Sequence, residues 1–241
     1  MKAMVLAAGL GTRLRPLTND RPKALVEVAG RSLLEITLER LKKFGVREVI
    51  VNTHHFAEMI PAYLKKYDNF GMRIEISHEE ELLDTGGGLK KAAWFFLEDG
   101  RDLAEPFLLH NVDVISTIDL GRMVRFHVEQ NALATLAVQD RETSRQLLFD
   151  GAGRLRGRGD KTQLTGTETM QMLAFSGIHV VSTAIFPKLN ETGAFSIIDA
   201  YLRLSTQGEK ILAFRADEYE WRDLGRPENV AEASRELRDE R

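Results

Sequence analysis

The stretch LAAGLGTRLRPLTNDRPKAL, residues 6–25, places two glycines, an arginine and a Pro-Lys pair directly after a short apolar run. The apolar run, residues 3–8, predicts a buried strand. Gly9 and Gly11 have no Cβ, so a ligand can come within hydrogen-bond distance of the main chain. Arg13 offers a planar fork for phosphate oxygens, and Lys23 offers a compact positive charge. The stretch therefore predicts a phosphate-binding loop at the exit of the first strand.

Two common phosphate-binding loops do not fit these residues. A dinucleotide fingerprint requires a third glycine where Leu14 stands, and no segment of the chain supplies a Walker A loop. A third type fits: main-chain N–H groups approach a nucleotide while the two cations bind its phosphates, and Pro16 and Pro22 stiffen the loop. On the glycines alone, an ordinary strand-to-helix turn with solvated cations remains an equal alternative.

Composition narrows the classes of protein. The chain has 241 residues, a formal net charge of −3 and no cysteine. The charge argues against a general nucleic-acid binder, and the absence of cysteine excludes disulfides and thiolate chemistry. The first apolar run is too short for a signal peptide, and no run approaches a membrane span. We therefore expect a cytoplasmic protein with no nucleic-acid or membrane partner.

Apolar runs alternate with helical patterns through the first half of the chain. This alternation predicts parallel βαβ units and an α/β fold with a Rossmann-like, doubly wound, mostly parallel sheet. The second half is more mixed and includes a predicted hairpin over residues 145–155. We expect one domain, with a nucleotide-binding half at about 1–130 and a second half at about 131–241. The predicted strands include 48–53, 72–77, 107–115, 134–139 and 174–182, and the predicted helices include 32–45 and 89–98.

Five segments in order resemble the signature of the sugar-1-phosphate nucleotidylyltransferases. The loop supplies the family's G-x-G-T-R-x-x-P-L-T followed by P-K, and LDTGGGLKKA resembles its segment under the nucleotide. LLHNVDV is similar to the strand that ends in a metal-binding Asp, and AFSGIHVVS to the sugar-side strand. EWRDLGRPENV is similar to the late segment with a second metal-binding Asp. The nearest resemblance is to mannose-1-phosphate guanylyltransferase-like and N-acetylmuramate-1-phosphate uridylyltransferase-like enzymes.

The resemblance implies a nucleotide-diphospho-sugar transferase fold and transfer of a nucleotide to a sugar 1-phosphate, with Mg²⁺ as cofactor. It implies a role in nucleotide-sugar supply for cell-envelope polysaccharides. The expected partners are a nucleoside triphosphate, with GTP or UTP favoured, and a sugar 1-phosphate, handled by a monomer or homodimer. The implied residues are catalytic Arg13, Lys23 and Asp113; nucleotide-binding Ala8, Gly9, Gly11, Thr12, Arg13, Lys23, Glu80 and Gly88; sugar-phosphate-binding Asn111 and Gly177; and metal-binding Asp113 and Asp223.

The sequence departs from the family pattern at two informative places. Val112 stands where the family has glycine, so we expect a side chain to intrude on the site. The family's sugar-phosphate lysine is missing, and Lys161, Arg158 and Arg145 are candidates to replace it. No segment resembles the C-terminal β-helix of some longer relatives, and we expect none.

Two other classes of function compete with the active enzyme. One is a catalytically weak homologue that binds sugar nucleotides as a regulatory subunit, and the other is a metal-dependent phosphohydrolase. Retention of both metal carboxylates favours the enzyme over the regulatory subunit. A hydrolase requires an activated water and a base that no motif here supplies. The base and the sugar remain open.

Overall fold

The computed structural model describes residues 1–98, 105–159 and 170–239. The strands are β1 Lys2–Leu6, β2 Glu27–Val28, β3 Arg31–Ser32, β4 Glu48–Thr53, β5 Arg73–His78, β6 Pro106–Asn111, β7 Val114–Ser116, β8 Ala134–Gln139, β9 Gln146–Phe149, β10 Leu155–Arg158, β11 Gln171–Ser182, β12 Ile211–Arg215 and β13 Trp221–Asp223. The α-helices are α1 Leu33–Lys43, α2 Met59–Lys66, α3 Asp84–Lys91, α4 Ala93–Leu97, α5 Leu120–Glu129, α6 Ile197–Thr206 and α7 Pro227–Asp239.

One large sheet organises the described residues. Its main path runs β10-β9-β11-β6-β1-β4-β5, and β8 joins β11 to β12. The pairs among β6, β1, β4 and β5 are parallel, which confirms the predicted α/β class with a Rossmann-like half. Because parallel strands end at the same edge, the residues after β1 and β6 share one rim of the sheet.

The antiparallel strand β11 connects the two halves of the chain. It spans 12 residues and pairs with β6, β8 and β9, so both halves contribute strands to the same sheet. The predicted hairpin is confirmed, since β9 and β10 pair antiparallel. The division into two functional halves remains a prediction.

Helix α1 shows how local sequence signals fix an element. The Ser32 side chain accepts a hydrogen bond from the Glu35 N–H at 3.0 Å, which caps the helix start. Gly45 follows the helix with φ +82°, a left-handed conformation that suits glycine. Leu34, Leu38 and Leu41 are fully buried on the predicted face, whereas Phe44 at its end is 37% exposed.

Two predicted elements are wrong in their bounds. The predicted strand 107–115 is two strands, because β7 leaves the main sheet and pairs with β13. Asp113 therefore lies in the turn between β6 and β7 rather than inside a strand. The predicted helix 89–98 is two helices, since α3 spans Asp84–Lys91 and α4 spans Ala93–Leu97. In the described ranges, no helix combines the length and the apolar character needed to cross a bilayer.

Candidate functional site

The glycine loop, residues 9–25, folds back on itself after β1. Gly11 has φ +64°, and its carbonyl accepts a hydrogen bond from the Thr18 hydroxyl at 2.8 Å. A Cβ at Gly11 would lie 2.9 Å from Thr18 Cγ2, so this position requires glycine for both its conformation and its space. Gly9 is exposed, with open space where its Cβ would be. The loop thus presents a bare main-chain segment next to Thr12 and Arg13, both exposed.

Asp113 and Asp223 come together although 109 intervening residues separate them in the sequence. Strand β13 pairs with β7 so that Asp223 lies opposite Val114, the residue after Asp113. The Leu224 N–H also donates to the Asp113 carbonyl oxygen at 2.8 Å. The side-chain amide of Asn229 donates to the Asp223 carbonyl at 2.7 Å and fixes the second segment. Sheet pairing therefore sets the relative position of the two carboxylates.

Two cations of the glycine loop, Arg13 and Lys23, lie close to these carboxylates. Lys23 Nζ forms an ion pair with Asp113 Oδ2, and both side chains are largely buried. A Cβ built on Gly225 would lie 2.7 Å from Asp223 Oδ1 and 2.8 Å from Arg13 Nη2. The structure therefore brings together Arg13, Lys23, Asp113 and Asp223, and their roles in catalysis and metal binding remain predictions.

A cavity of about 640 Å³ opens beside this group. Its lining includes Arg13, Asp113 and Asp223, together with Asn111 and Gly177. Gly177 has φ +74°, and a Cβ there would lie 2.9 Å from Asn111 Nδ2 and from Val114 Cγ2. The two residues predicted to bind the sugar phosphate are therefore in contact with each other at the cavity.

The remaining predicted nucleotide-binding residues lie at the rim near β1 and α3, away from the cavity lining. Ala8 is buried and Gly88 is packed inside α3, where a Cβ would lie 2.6 Å from Glu79 Oε1. Glu80 is exposed. Its predicted role in binding the base remains a prediction.

Glu79, which the sequence did not single out, organises this rim. Its carboxylate is wholly buried; Oε1 accepts from the Asn52 amide at 2.7 Å and Oε2 from the Leu83 N–H at 2.9 Å. Asn52 Oδ1 in turn accepts from the Ala7 N–H at 2.6 Å. The run HEEE, residues 78–81, could have indicated that one of its glutamates is buried, but the sequence does not show which one.

Val112 contradicts the expectation that it intrudes on the site. Its side chain is 2% exposed and packs in the main hydrophobic core. Val112 is not among the described residues that line the cavity. The valine therefore points away from the site, and the departure from the family's glycine leaves the described cavity open.

Arg141 is a further cavity residue that sequence reasoning missed. Its guanidinium lies 3.8 Å from the centre of the Trp221 ring, and Nη2 donates to the Phe175 carbonyl at 2.8 Å. Burial lowers the pKa of Arg141, and the nearby Asp223 charge opposes that shift. The guanidinium remains a cation at neutral pH. Arg141 belongs to no recognised motif and stands between two acidic residues, Asp140 and Glu142, so only the tertiary structure reveals its position at the cavity.

The three cations proposed to replace the family's lysine differ in position. Arg158 lines the cavity but forms an ion pair with Asp199 at its exposed rim. Arg145 also lines the cavity and is exposed. Lys161 lies outside the described residues.

Two buried histidines, His110 and His179, lie in strands β6 and β11 near the cavity. His110 Nδ1 donates to the Asn111 carbonyl at 2.8 Å, and Nε2 accepts from Arg40 at 3.0 Å. Burial, with the Arg40 charge, lowers the pKa of His110 to about 3. Burial also lowers the pKa of His179, which lines the cavity, to about 3. Both imidazoles are therefore neutral at physiological pH and serve as packed hydrogen-bonding groups.

The chemistry of the two aspartates fits a magnesium ion. Mg²⁺ binds through one or two carboxylates and completes its shell with water and phosphate oxygens. Across residues 1–98, 105–159 and 170–239, no group of three or more His, Asp or Glu side chains could hold a metal by itself. Asp113 and Asp223 thus suit a metal that is shared with a bound phosphate.

A glycine loop at the carboxyl edge of parallel strands, facing paired carboxylates, defines an α/β protein of the kind that handles nucleotides. Residues 2–240 match the nucleotidyl transferase family. The N-acetylmuramate alpha-1-phosphate uridylyltransferase of Caulobacter vibrioides is 35% identical over 238 residues, covering 94% of this chain and 92% of that protein. The chain is therefore an enzyme of the nucleotidyl transferase family, which confirms the resemblance seen in the sequence.

Longer relatives and solved structures agree with this assignment. Mannose-1-phosphate guanyltransferase beta-B of Xenopus laevis is 30% identical over 95% of this chain, which spans 62% of that protein. The structure of HddC from Yersinia pseudotuberculosis complexed with GMP-PN has a TM-score of 0.78 at 22% identity, covering 98% of this chain and 99% of that one. A UDP-glucose pyrophosphorylase complexed with UDP-glucose has a TM-score of 0.80 at 18% identity, covering 100% and 99%. These two structures support the fold.

Proposed function

We propose that this enzyme joins a nucleoside triphosphate to a sugar 1-phosphate and releases pyrophosphate. The observation that carries the proposal is that Lys23 and Arg13 lie close to Asp113 and Asp223, both of which line the cavity. Two cations and two carboxylates at one point provide charges of both signs for two polyanionic substrates. The family match over residues 2–240 supports the same class of reaction.

The reaction balances without a general base. A phosphate oxygen of the sugar 1-phosphate forms a bond to the α-phosphorus, and the bond from that phosphorus to the β-phosphate bridging oxygen breaks. The leaving pyrophosphate takes the electron pair. A phosphate monoester has its second pKa near 6, so the attacking oxygen is already largely deprotonated at neutral pH. The site must therefore position the groups and stabilise charge, and it requires no activated water.

Each residue of the group has a proposed task in this reaction. Arg13 binds the β- and γ-phosphates and stabilises the leaving pyrophosphate. Lys23 exchanges its contact with Asp113 for the α-phosphate when the substrates bind. Asp113 and Asp223 hold Mg²⁺, which supplies additional positive charge to the phosphates when bound. Before the substrates bind, the ion pair with Asp113 holds Lys23 at the site.

The remaining predicted residues complete the two subsites. We assign the nucleotide to the rim formed by Ala8, Gly9, Gly11, Thr12, Glu80 and Gly88, and the sugar phosphate to Asn111 and Gly177. We propose GTP or UTP as the triphosphate. UTP with N-acetylmuramate 1-phosphate is the first pair to test, because the Caulobacter relative that matches over nearly its full length bears that name.

The test is pyrophosphate release with Mg²⁺ across UTP, GTP, CTP and dTTP, each combined with mannose, glucose or N-acetylmuramate 1-phosphate. We expect release with UTP or GTP and one of these sugars, and loss of that release in Asp113→Asn. Thermal unfolding of the variant checks that it remains folded. If no pair releases pyrophosphate while a triphosphate still binds, the chain is instead the regulatory, sugar-nucleotide-binding homologue.

A further inference from the structure

Arg141 is fixed in the cavity by contacts on two sides. Its guanidinium packs against the face of Trp221, at 3.8 Å from the ring centre, and the Trp221 indole N–H donates to the Ser176 carbonyl at 2.7 Å. Nη2 donates to the Phe175 carbonyl at 2.8 Å. A stacked arginine with one anchored nitrogen has lost most of its rotamer freedom before any ligand arrives.

The rest of the guanidinium fork has no partner in the described part of the chain. Nε is buried there without a hydrogen bond, although a buried donor of this kind normally has one. Nη2 is the guanidinium nitrogen for which the described residues supply an acceptor. Arg141 lines the same cavity as Asn111, Gly177 and Asp223. A preorganised guanidinium that faces a cavity with free donors is suited to a phosphate or carboxylate.

We propose that Arg141, stacked on Trp221, binds the phosphate of the sugar 1-phosphate and replaces the lysine that the family uses there. This assignment rests on the proposed function. Arg158 is held by Asp199 at the exposed rim, and Arg145 is exposed, so neither is fixed as Arg141 is. Stacking on Trp221 holds the positive charge of Arg141 near Asp223, where the two substrates would meet.

The first test measures KM for each substrate separately in Arg141→Gln. Charge-assisted hydrogen bonds to one arginine support an increase of roughly 10- to 100-fold in KM for the sugar 1-phosphate. KM for the triphosphate, and for pyrophosphate in the reverse reaction, should change little. Arg122→Gln is the matched control, since Arg122 also packs against an aromatic ring, that of Tyr219, but outside the cavity.

The conservative variant Arg141→Lys distinguishes a loss of phosphate binding from a folding defect. Lysine keeps the charge but loses the planar fork, so we expect a smaller increase in KM for the sugar 1-phosphate. Equal increases for both substrates would indicate a structural role and overturn the proposal. An unchanged KM for the sugar 1-phosphate, or an effect found in Arg145→Gln instead, would overturn it as well.

A binding measurement separates this proposal from the proposed function. The chain has two tryptophans, and Trp94 is 49% exposed on α4, so Trp94→Phe leaves Trp221 as the single reporter. Inorganic phosphate and the sugar 1-phosphate should change Trp221 emission, the free sugar should not, and Arg141→Gln should abolish the response.

The outcomes of the two experiments are separable. If every substrate pair is inactive but phosphate still changes Trp221 emission, the proposed function is wrong and the anion subsite at Arg141 is supported. If pyrophosphate release occurs but Trp221 emission does not respond, the anion subsite fails.

Discussion

The glycine loop and the stack of Arg141 on Trp221 contribute to one cavity in different ways. The loop is contiguous: Gly11, Thr18 and Lys23 are fixed by contacts among themselves and with Asp113. The stack joins residues 80 positions apart in the sequence, and β11 and β13 hold them together. Local chemistry specifies the loop, whereas strand pairing specifies the stack. Substitutions in the loop should therefore impair catalysis, and substitutions around the stack should impair binding or stability.

The largest effect is expected at Lys23, where the loop meets Asp113. Lys23→Gln removes the positive charge that faces the developing negative charge, so kcat/KM should fall on the order of 10²–10³-fold. Initial rates of pyrophosphate release measure this effect. Lys43→Gln, on the exposed end of α1, is the control. A loss below about threefold would show that the loop does not take part in the transition state.

Gly177 tests the part of the cavity that strand β11 forms. Gly177→Ala combines a strained positive φ with contacts of 2.9 Å to Asn111 and Val114, and should lower the free energy of unfolding by about 1–3 kcal/mol. Urea unfolding measures it. Gly153→Ala is the control, because it shares the positive φ but its nearest contact would be 3.9 Å away. Equal losses in the two variants would mean that crowding at Gly177 is unimportant.

Acid sensitivity should also differ, because the buried His127 forms hydrogen bonds with strands of the large sheet, whereas the glycine loop contains no histidine. Burial lowers the pKa of His127 to about 4, so the unfolded chain binds a proton at higher pH than the folded chain. Stability is therefore full above about pH 6.5 and falls as pH drops toward 4, by about 2 kcal/mol at pH 5 from this group.

Urea unfolding of His127→Gln at pH 7.5 and pH 5 measures the contribution of His127. The loss of stability between the two pH values should be smaller in this variant than in the parent. His55→Gln, an exposed histidine, should leave the difference unchanged. An unaltered pH difference in His127→Gln would contradict a neutral, buried His127.

Gly225 lies beside Asp223 and Arg13, and its substitution should give the smallest effect. An added methyl would press on Asp223 Oδ1 and Arg13 Nη2, and both groups can move, so stability should change little. Their displacement should lower kcat/KM about tenfold, since misplaced charges stabilise the transition state less well. Gly151→Ala, with open space around it, is the control. Retained activity would show that Arg13 and Asp223 need no fixed spacing.

The glycine loop and the α/β class could be predicted from the sequence alone. These features depend on residue type and short spacing: Gly11 requires a left-handed backbone, and strands alternating with helices require parallel pairing. Periodicity also fixed the buried face of α1, because helix geometry repeats every few residues.

Four features depend on long-range contacts that the sequence does not reveal: the break between β6 and β7, the inward packing of Val112, the burial of Glu79 and the position of Arg141. Each depends on a partner far away in the chain. Val112 packs in a core that draws on both halves of the chain, and Arg141 needs the Trp221 ring that β13 presents. A side chain's environment is set by such long-range contacts, and short-range sequence patterns carry no information about them.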